Sequence, residues 1–296
     1  MAEQIFNEAV RSAFVSGGAD VKPGSGDTLL FTLRNGSVMN GQAGIGERWL
    51  SVDVPLADAR TLAQDGKLLW SRLLENGRLT GAVRHAVGLS GKGTLRADVP
   101  LDPADDLDRD VAAVCRDLKE AYGGCPAATA GSDGAPLTAG EMAERFAGSG
   151  WELTAKEPHI YATLDVHGRF VQARIESVGP NAFRASVPLL TVPSPMSGHC
   201  QHAVSLFLLS LSNHLRQVRP AADDGIEEVR IGCEAPFRSQ ADPSADLGRA
   251  LSALSVAAAF SIQEVRALTH EHVGAAYLAV RAAEGGSKGK SNQRRR

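Results

Sequence analysis

Hydrophobic and polar residues follow two periods along the first half of the chain, and each period predicts a different element. Apolar residues recurring every three to four positions predict an amphipathic helix near residues 5–15 and another near 68–76. Between these helices, alternation of period two predicts a three-stranded antiparallel meander. Its strands lie near residues 28–33, 37–43 and 48–54. Two further strands and a long helix are predicted to follow.

The second half of the chain repeats this order of elements. It predicts helices near residues 140–146 and 203–215, with a meander between them. The strands of this meander lie near residues 160–166, 170–176 and 183–187. Each half therefore predicts the order α-β-β-β-α-β-β-α, which is an α+β unit with helices packed on one antiparallel sheet.

Short identical segments support a tandem duplication. Asp102-Pro103 recurs as Asp242-Pro243 at an offset of 140 positions, and a matching apolar stripe follows both pairs. An aspartate cap with proline in the first turn is typical of a helix start. Earlier matches have offsets of 133 to 136 that rise along the chain. They pair Val54-Pro55-Leu56 with Val187-Pro188-Leu189, Val83-Arg84-x-Ala86 with Val218-Arg219-x-Ala221, and Val99-Pro100-Leu101 with Ala235-Pro236-Phe237.

Changes in composition divide the chain into four parts. The first unit is predicted at residues 1–122 and the second at 139–283. Residues 123–138 are rich in Gly, Ala, Ser and Pro, which predicts a flexible linker. Residues 284–296 contain no hydrophobic side chain and several basic ones, which predicts a disordered basic tail.

The unit length, the order of elements, the apolar-Pro-apolar strand ends and the Asp-Pro helix starts together resemble the YbjN-like family. That family shares the fold of type III secretion chaperones, which are small, often acidic bacterial proteins that form dimers and bind other proteins without catalysis. The resemblance therefore implies a protein-binding module with an unidentified partner protein. Two fused copies are expected to form an intramolecular pseudo-dimer, present as a monomer with pseudo-twofold symmetry or as a dimer of it.

Composition and charge narrow the class of protein. The chain has 296 residues, 43% of them hydrophobic and 22% charged, with a net charge of −3. These values are typical of a soluble globular protein and give no global attraction to nucleic acid or anionic membrane. The N-terminus lacks the basic start of a signal peptide, and the longest apolar run, 203–211, is too short to span a bilayer. We therefore predict a cytoplasmic protein with no membrane span.

The densest group of potential metal ligands is His199-Cys200-x-His202. The aligned stretch of the first copy has no histidine or cysteine, which favours a solvated helix start over a metal site, although metal binding stays open. Gly285-Gly-Ser287-Lys-Gly289 matches a nucleophile pattern but falls in the predicted tail. Aspartates at 102, 105, 106, 108 and 110 are explained by helix capping and the helix dipole.

No catalytic, cofactor-binding or metal-binding residue, and no cofactor, is predicted from these patterns. Two other functions stay open beside protein binding. One is a small-ligand binder or enzyme whose site has no recognisable motif. The other is an assembly subunit that docks weakly on a polyanion through Lys288, Lys290 and Arg294 to Arg296.

Overall fold

The computed structural model describes residues 2–56, 62–88, 91–101, 106–123, 135–191, 196–223, 225, 228–237 and 243–291. The helices of the first half are α1 (Ala2–Ser16), α2 (Gly66–Arg78) and α3 (Leu107–Tyr122), with a 3-10 turn at Leu62–Gln64. Its strands are β1 (Asp20–Pro23), β2 (Thr28–Asn35), β3 (Ser37–Ile45), β4 (Trp49–Pro55), β5 (Arg84–Val87) and β6 (Gly93–Pro100).

The second half has the same elements and one additional helix. Its helices are α4 (Ala139–Arg145), α5 (Gly198–Leu211), α6 (Pro243–Leu268) and α7 (Glu271–Ser291). Its strands are β7 (Leu153–Lys156), β8 (His159–Val166), β9 (Arg169–Gly179), β10 (Ala182–Thr191), β11 (Arg219–Asp223) and β12 (Glu228–Pro236).

Both halves form a six-stranded antiparallel sheet with one topology. The strand orders are β1-β2-β3-β4-β6-β5 and β7-β8-β9-β10-β12-β11. Even the registers agree, because Trp49 lies opposite Pro100 in the first sheet and the equivalent Ala182 lies opposite Pro236 in the second. The predicted α+β class with two tandem units is confirmed.

The predicted order of elements was wrong by one strand in each unit. The meander begins with an additional edge strand, β1 or β7, so that it has four strands rather than three. Each of these strands has four residues, and most of their side chains are exposed. A segment so short, with no buried face, shows no alternation from which a strand can be predicted.

The two long helices start at different positions of the repeat. Helix α3 begins at Leu107, and the side chain of Asp106 caps it by accepting a hydrogen bond from the Arg109 N–H. Asp102, predicted as the cap, lies outside the described residues, as does Asp242. Helix α6 does begin with the predicted proline, Pro243, in its first turn.

The C-terminal end differs from the prediction. A turn at Thr269 and His270 separates α6 from α7, and α7 continues to Ser291, well past the predicted start of the disordered tail at residue 284. The ring of Tyr277 in α7 packs edge-on against Phe207 of α5. Residues 292–296 lie outside the described part of the chain, as do residues 124–134 of the predicted linker.

The hydrophobic core of the second unit extends into the first. In one core, Phe14 of α1 stacks on Phe31 of β2 inside the first unit alone. The other core is built mainly by the second unit but includes Leu69 and Leu73 of α2, together with Val87 of β5. The first unit therefore has a core of its own and also contributes apolar side chains to the core of the second.

Helix α2 lies at the centre of the contact between the units. It packs on the equivalent helix α5 and on strand β11, while α5 packs on strand β5. The close approach depends on Gly66, because a Cβ there would lie only 2.7 Å from the His202 Cβ. Asn76 Nδ2 donates a hydrogen bond to the Pro220 carbonyl of β11 at 2.9 Å.

Arg84, from the repeated Val-Arg-x-Ala segment, crosses this interface. Only 1% of its surface is exposed. Its guanidinium contacts Asp98 of its own sheet at 2.5 Å and donates to the carbonyls of Ser212 and Leu215 in the second unit, at 3.0 and 3.1 Å. Burial alone would raise the pKa of Asp98, but the charge and hydrogen bond of Arg84 hold it below its usual value.

Arg219, the repeat equivalent of Arg84, makes the reciprocal contacts. It contacts Glu234 of its own sheet at 3.1 Å and donates to the carbonyls of Gly81 and Val83 in the first unit, at 3.1 and 3.2 Å. Glu234 occupies the repeat position of Asp98. Reciprocal contacts between equivalent residues are the mark of an isologous, twofold-like interface, so the fused units form a pseudo-dimer.

Helix α6 is the one helix in the described part of the chain that is long and apolar enough to cross a membrane by length and composition. Its buried face packs on β10 and β12, as in the core helix of a soluble protein. The compact fold is therefore consistent with a soluble protein.

Replacing Arg84 tests the contribution of the interface to stability. We expect Arg84→Met to lower the free energy of unfolding by about 3–5 kcal/mol, because it removes the closest partner of the buried Asp98 carboxylate and leaves it only Arg96, at 3.6 Å. The double variant Arg84→Met/Asp98→Leu should recover most of this loss, since it removes both buried charges. Urea denaturation at pH 7 measures both effects.

Arg34→Met is the matched control, because the Arg34–Asp20 pair at 3.6 Å is largely exposed and should contribute little. A loss at Arg84 no larger than that at Arg34 would contradict a structural role for the buried pair.

Candidate binding cleft between the two units

A cleft of about 290 Å³ lies between the two units. On one side its wall is formed by α3 and the end of β6. The other side is formed by β12, by the β9–β10 turn and by the first turns of α6. Apolar groups on the wall include Val99, Ala113, Val114, Val178, Pro236 and Ala250.

The carboxylates that hold the interface arginines also line this cleft. Asp98 and Glu234 face it from β6 and β12 while they bind Arg84 and Arg219. Each carboxylate also has a partner on the neighbouring strand, at the same position of the repeat. Ser51 donates a hydrogen bond to Asp98, and Arg184 contacts Glu234, each at 2.9 Å. The pseudo-dimer interface therefore positions the cleft.

Acidic side chains outnumber basic ones along the cleft. Two arginines line it, Arg116 and Arg249, and Arg249 is 2.5 Å from Asp246. The carboxylates that line it are Asp98, Asp110, Asp117, Glu120, Glu234 and Asp246. A wall of this composition favours a cationic group.

Asp117 is the most perturbed carboxylate of the cleft. Its side chain is 8% exposed, and its Oδ1 accepts a hydrogen bond from Arg116 at 3.3 Å. Burial raises the pKa of Asp117 to about 6, and the charges of Glu120 and Glu234 add to this effect against the opposing charge of Arg116. A carboxyl group with a raised pKa in a cleft is a candidate for function.

Gly81 lies between Asp117 and Glu234 and contacts both carboxylates. Its N–H donates to Glu234 Oε1 at 2.6 Å, and a Cβ at this position would overlap Asp117 Oδ2. Its φ of +68° also favours glycine. Any side chain at residue 81 would therefore disturb both the backbone and the carboxylates of the cleft.

The group His199, Cys200 and His202 does not converge. Cys200 is buried, and its thiol donates to the Thr269 carbonyl at 3.2 Å. His202 Nε2 lies 2.9 Å from the Ala63 carbonyl of the first unit, and His199 is exposed. Within the ranges that the structure describes, no three His, Cys, Asp or Glu side chains are grouped to hold a metal ion.

The predicted capping aspartates have divided roles. Asp106 caps α3 and Asp108 is exposed, whereas Asp110 lines the cleft. Asp102 and Asp105 lie outside the described residues, and Gly285 to Gly289 fall within α7, whose side chains are not described there.

Sequence reasoning missed Asp117 and Glu234, although one signal was present. Asp110 and Asp117 are seven residues apart and flank the apolar stripe of α3, so they share one side of the helix. At the same offset α6 has Ala250 and Ala257. A difference between the copies beside a shared stripe therefore marks a place where the two units differ in charge.

A second, partly buried polar cluster supports the fold away from the cleft. Glu75 of α2 contacts Arg72 at 2.6 Å and His85 of β5 at 2.9 Å. Burial raises the pKa of Glu75, but hydrogen bonds from His85 and Arg72 overcome this and lower it to about 2. The cluster fixes α2 on its own sheet, with its other face against α5.

No protein-family model matches the sequence, and no curated protein is significantly similar to it. The role of the cleft is therefore argued from its own side chains.

Asp117→Asn tests whether the ionised Asp117 carboxylate lowers the stability of the folded protein at neutral pH. Because the folded-state pKa is raised, wild-type protein loses stability as pH rises from about 4 to about 6, where the unfolded chain releases its proton first. Asparagine does not ionise. We therefore expect the variant to be more stable at pH 7, by up to about 3 kcal/mol, and to show no gain near pH 3.5.

Urea denaturation across this pH range measures the effect, with Asp108→Asn as the exposed control on the same helix. A variant less stable than wild type at pH 7 would show that Asp117 serves the fold.

Proposed function

We propose that this chain is a non-enzymatic, cytoplasmic protein-binding module whose two units together hold a partner in the cleft between them. The observation that carries the proposal is that both units build one cleft, with a buried carboxylate of raised pKa on its wall. Binding sites retain such destabilising groups because selection there acts on function as well as on stability. The resemblance to the chaperone-like fold, whose members bind proteins as dimers, supports the same function.

The chemistry of the cleft favours binding over catalysis. Each of its two arginines contacts a neighbouring carboxylate, Arg249 at 2.5 Å from Asp246 and the more exposed Arg116 at 3.3 Å from Asp117. Between these ion pairs the wall is largely aliphatic, which suits an apolar surface bearing a few charges.

One observation favours a second candidate, a small-ligand binder. The volume of about 290 Å³ is close to the lower end of small-molecule sites, which begin near ~300 Å³. Docking of the basic tail on a polyanion stays a prediction, because Arg294 to Arg296 lie outside the described residues.

Affinity capture with a cleft-blocked variant tests the proposed function. Ala113, half-buried on the wall of the cleft, is replaced by phenylalanine, which fills the space without changing charge. Tagged wild-type protein expressed in its native host should recover a stoichiometric partner, and Ala113→Phe should lose it. Quantitative mass spectrometry of the eluates measures the difference.

Ala279→Phe, on the exposed face of α7, is the matched control and should keep the partner. If wild-type protein recovers no partner while native mass spectrometry finds a small molecule that Ala113→Phe excludes, the small-ligand candidate replaces the proposal.

The pseudo-dimer also predicts the size of the particle in solution. Because each unit already covers the interface of the other, we expect light scattering to give the mass of one chain, 31.1 kDa. A mass of two chains that persists on dilution would show a second interface.

A further inference from the structure

We propose that the partner enters the cleft with an arginine side chain that binds Asp117 and Glu120, so that the module recognises a basic segment of a protein. This inference rests on the proposed function and names the chemistry of its ligand. It follows from the contacts that Asp117 and Glu120 make with the described residues, and from the asymmetry of the two units.

The first observation is an acceptor without a donor. Asp117 is more than nine-tenths buried and lines the cleft, yet its ion pair with Arg116 uses only Oδ1. Oδ2 lies against Gly81, and no hydrogen-bond donor contacts it within the described ranges. Oδ2 is thus left to accept hydrogen bonds from a cation that enters the cleft, and such a cation would favour the ionised form of Asp117.

The second observation concerns Glu120, one turn further along α3. It also lines the cleft and forms no ion pair with the residues that the structure describes. Residues at i and i+3 on a helix lie on one face, so the two carboxylates present their charge together. Planar guanidinium groups suit such pairs, because they donate several hydrogen bonds in fixed directions.

The nearest cation does not fulfil this role. Arg116 contacts Asp117 at 3.3 Å, but its side chain is 57% exposed. Ion pairs with such exposed arginines are weakened by water and salt. Arg116 therefore leaves the acidic character of this wall largely uncompensated.

The apolar part of the wall indicates a protein segment rather than a small free cation. Val114, Val178 and Pro236 line the same cleft and can cover the aliphatic stem of an arginine and its neighbours. A small polyamine would use the charge but leave much of this apolar surface exposed. The occupant with both chemistries is a basic segment that also carries apolar side chains.

Only one unit provides this acidic pair. At the offset of the long helices, Asp117 and Glu120 correspond to Ala257 and Phe260 of α6. The pseudo-dimer therefore has one cation site rather than two, and each chain should bind one segment.

Paired peptides test the proposal with purified full-length protein. Nonapeptides with one central arginine and varied flanks of leucine, valine and serine are each matched by a peptide with citrulline, which is neutral and nearly the same shape. Binding is measured by fluorescence anisotropy. The best arginine peptides should bind about ten to one hundred times more tightly than their citrulline partners, as expected for charged hydrogen bonds.

Asp117→Asn should remove this preference, whereas Asp108→Asn should keep it. Wild-type affinity for the arginine peptides should also rise between pH 5 and pH 7, because Asp117 becomes ionised in this range while Arg116, Glu120 and Glu234 surround it. Affinity of Asp117→Asn should change little over the same range.

Equal binding of both peptide types, or no binding of either, overturns the inference. The proposed function would still stand if affinity capture loses the partner with Ala113→Phe but not with Asp117→Asn. Competition by micromolar spermidine together with weak peptide binding would indicate a small cation. Tighter peptide binding after deletion of residues 292–296 would indicate that the chain's own tail occupies the cleft, which also overturns the proposal.

Discussion

Two buried arginines hold this structure together, because each makes hydrogen bonds to both units. Arg84 and Arg219 find their counterions in their own sheets but donate to backbone carbonyls of the opposite unit. Burying a guanidinium without such partners would be strongly unfavourable. In one unit alone, these arginines would lose the carbonyls that accept their hydrogen bonds, and the apolar face of α2 would be exposed to water. The duplicated chain therefore forms a single body.

The same ion pairs determine the electrostatics of the cleft. Asp98 and Glu234 line the cleft, and the arginines that they bind largely neutralise their charges. The arginine that contacts Asp117, Arg116, is by contrast largely exposed, so burial raises the pKa of Asp117 and the nearby Glu234 adds to this effect. The carboxylate that stabilises the interface thus adds to the unfavourable environment of Asp117.

The periodic pattern and repeated segments were sufficient to predict the α+β units and most elements, but not the roles of individual charges. Alternation in a strand places Arg84 on the face away from its own core, where a charged residue ordinarily meets water. Only the position of the second unit shows that this face is covered. Edge strand β1 was missed for a local reason, since four mostly exposed residues have no readable period.

The equivalent helices of the two units differ in polarity because different elements pack on them. Helix α5 is apolar on nearly every side because α7 packs on the face that its equivalent α2 leaves partly exposed, with Arg72 and Glu75. Helix α3 packs on α1, and its side that lines the cleft bears the acidic residues Asp117 and Glu120. A symmetric framework with unequal coverings can therefore present a single polar site, which two identical units in a homodimer would present twice.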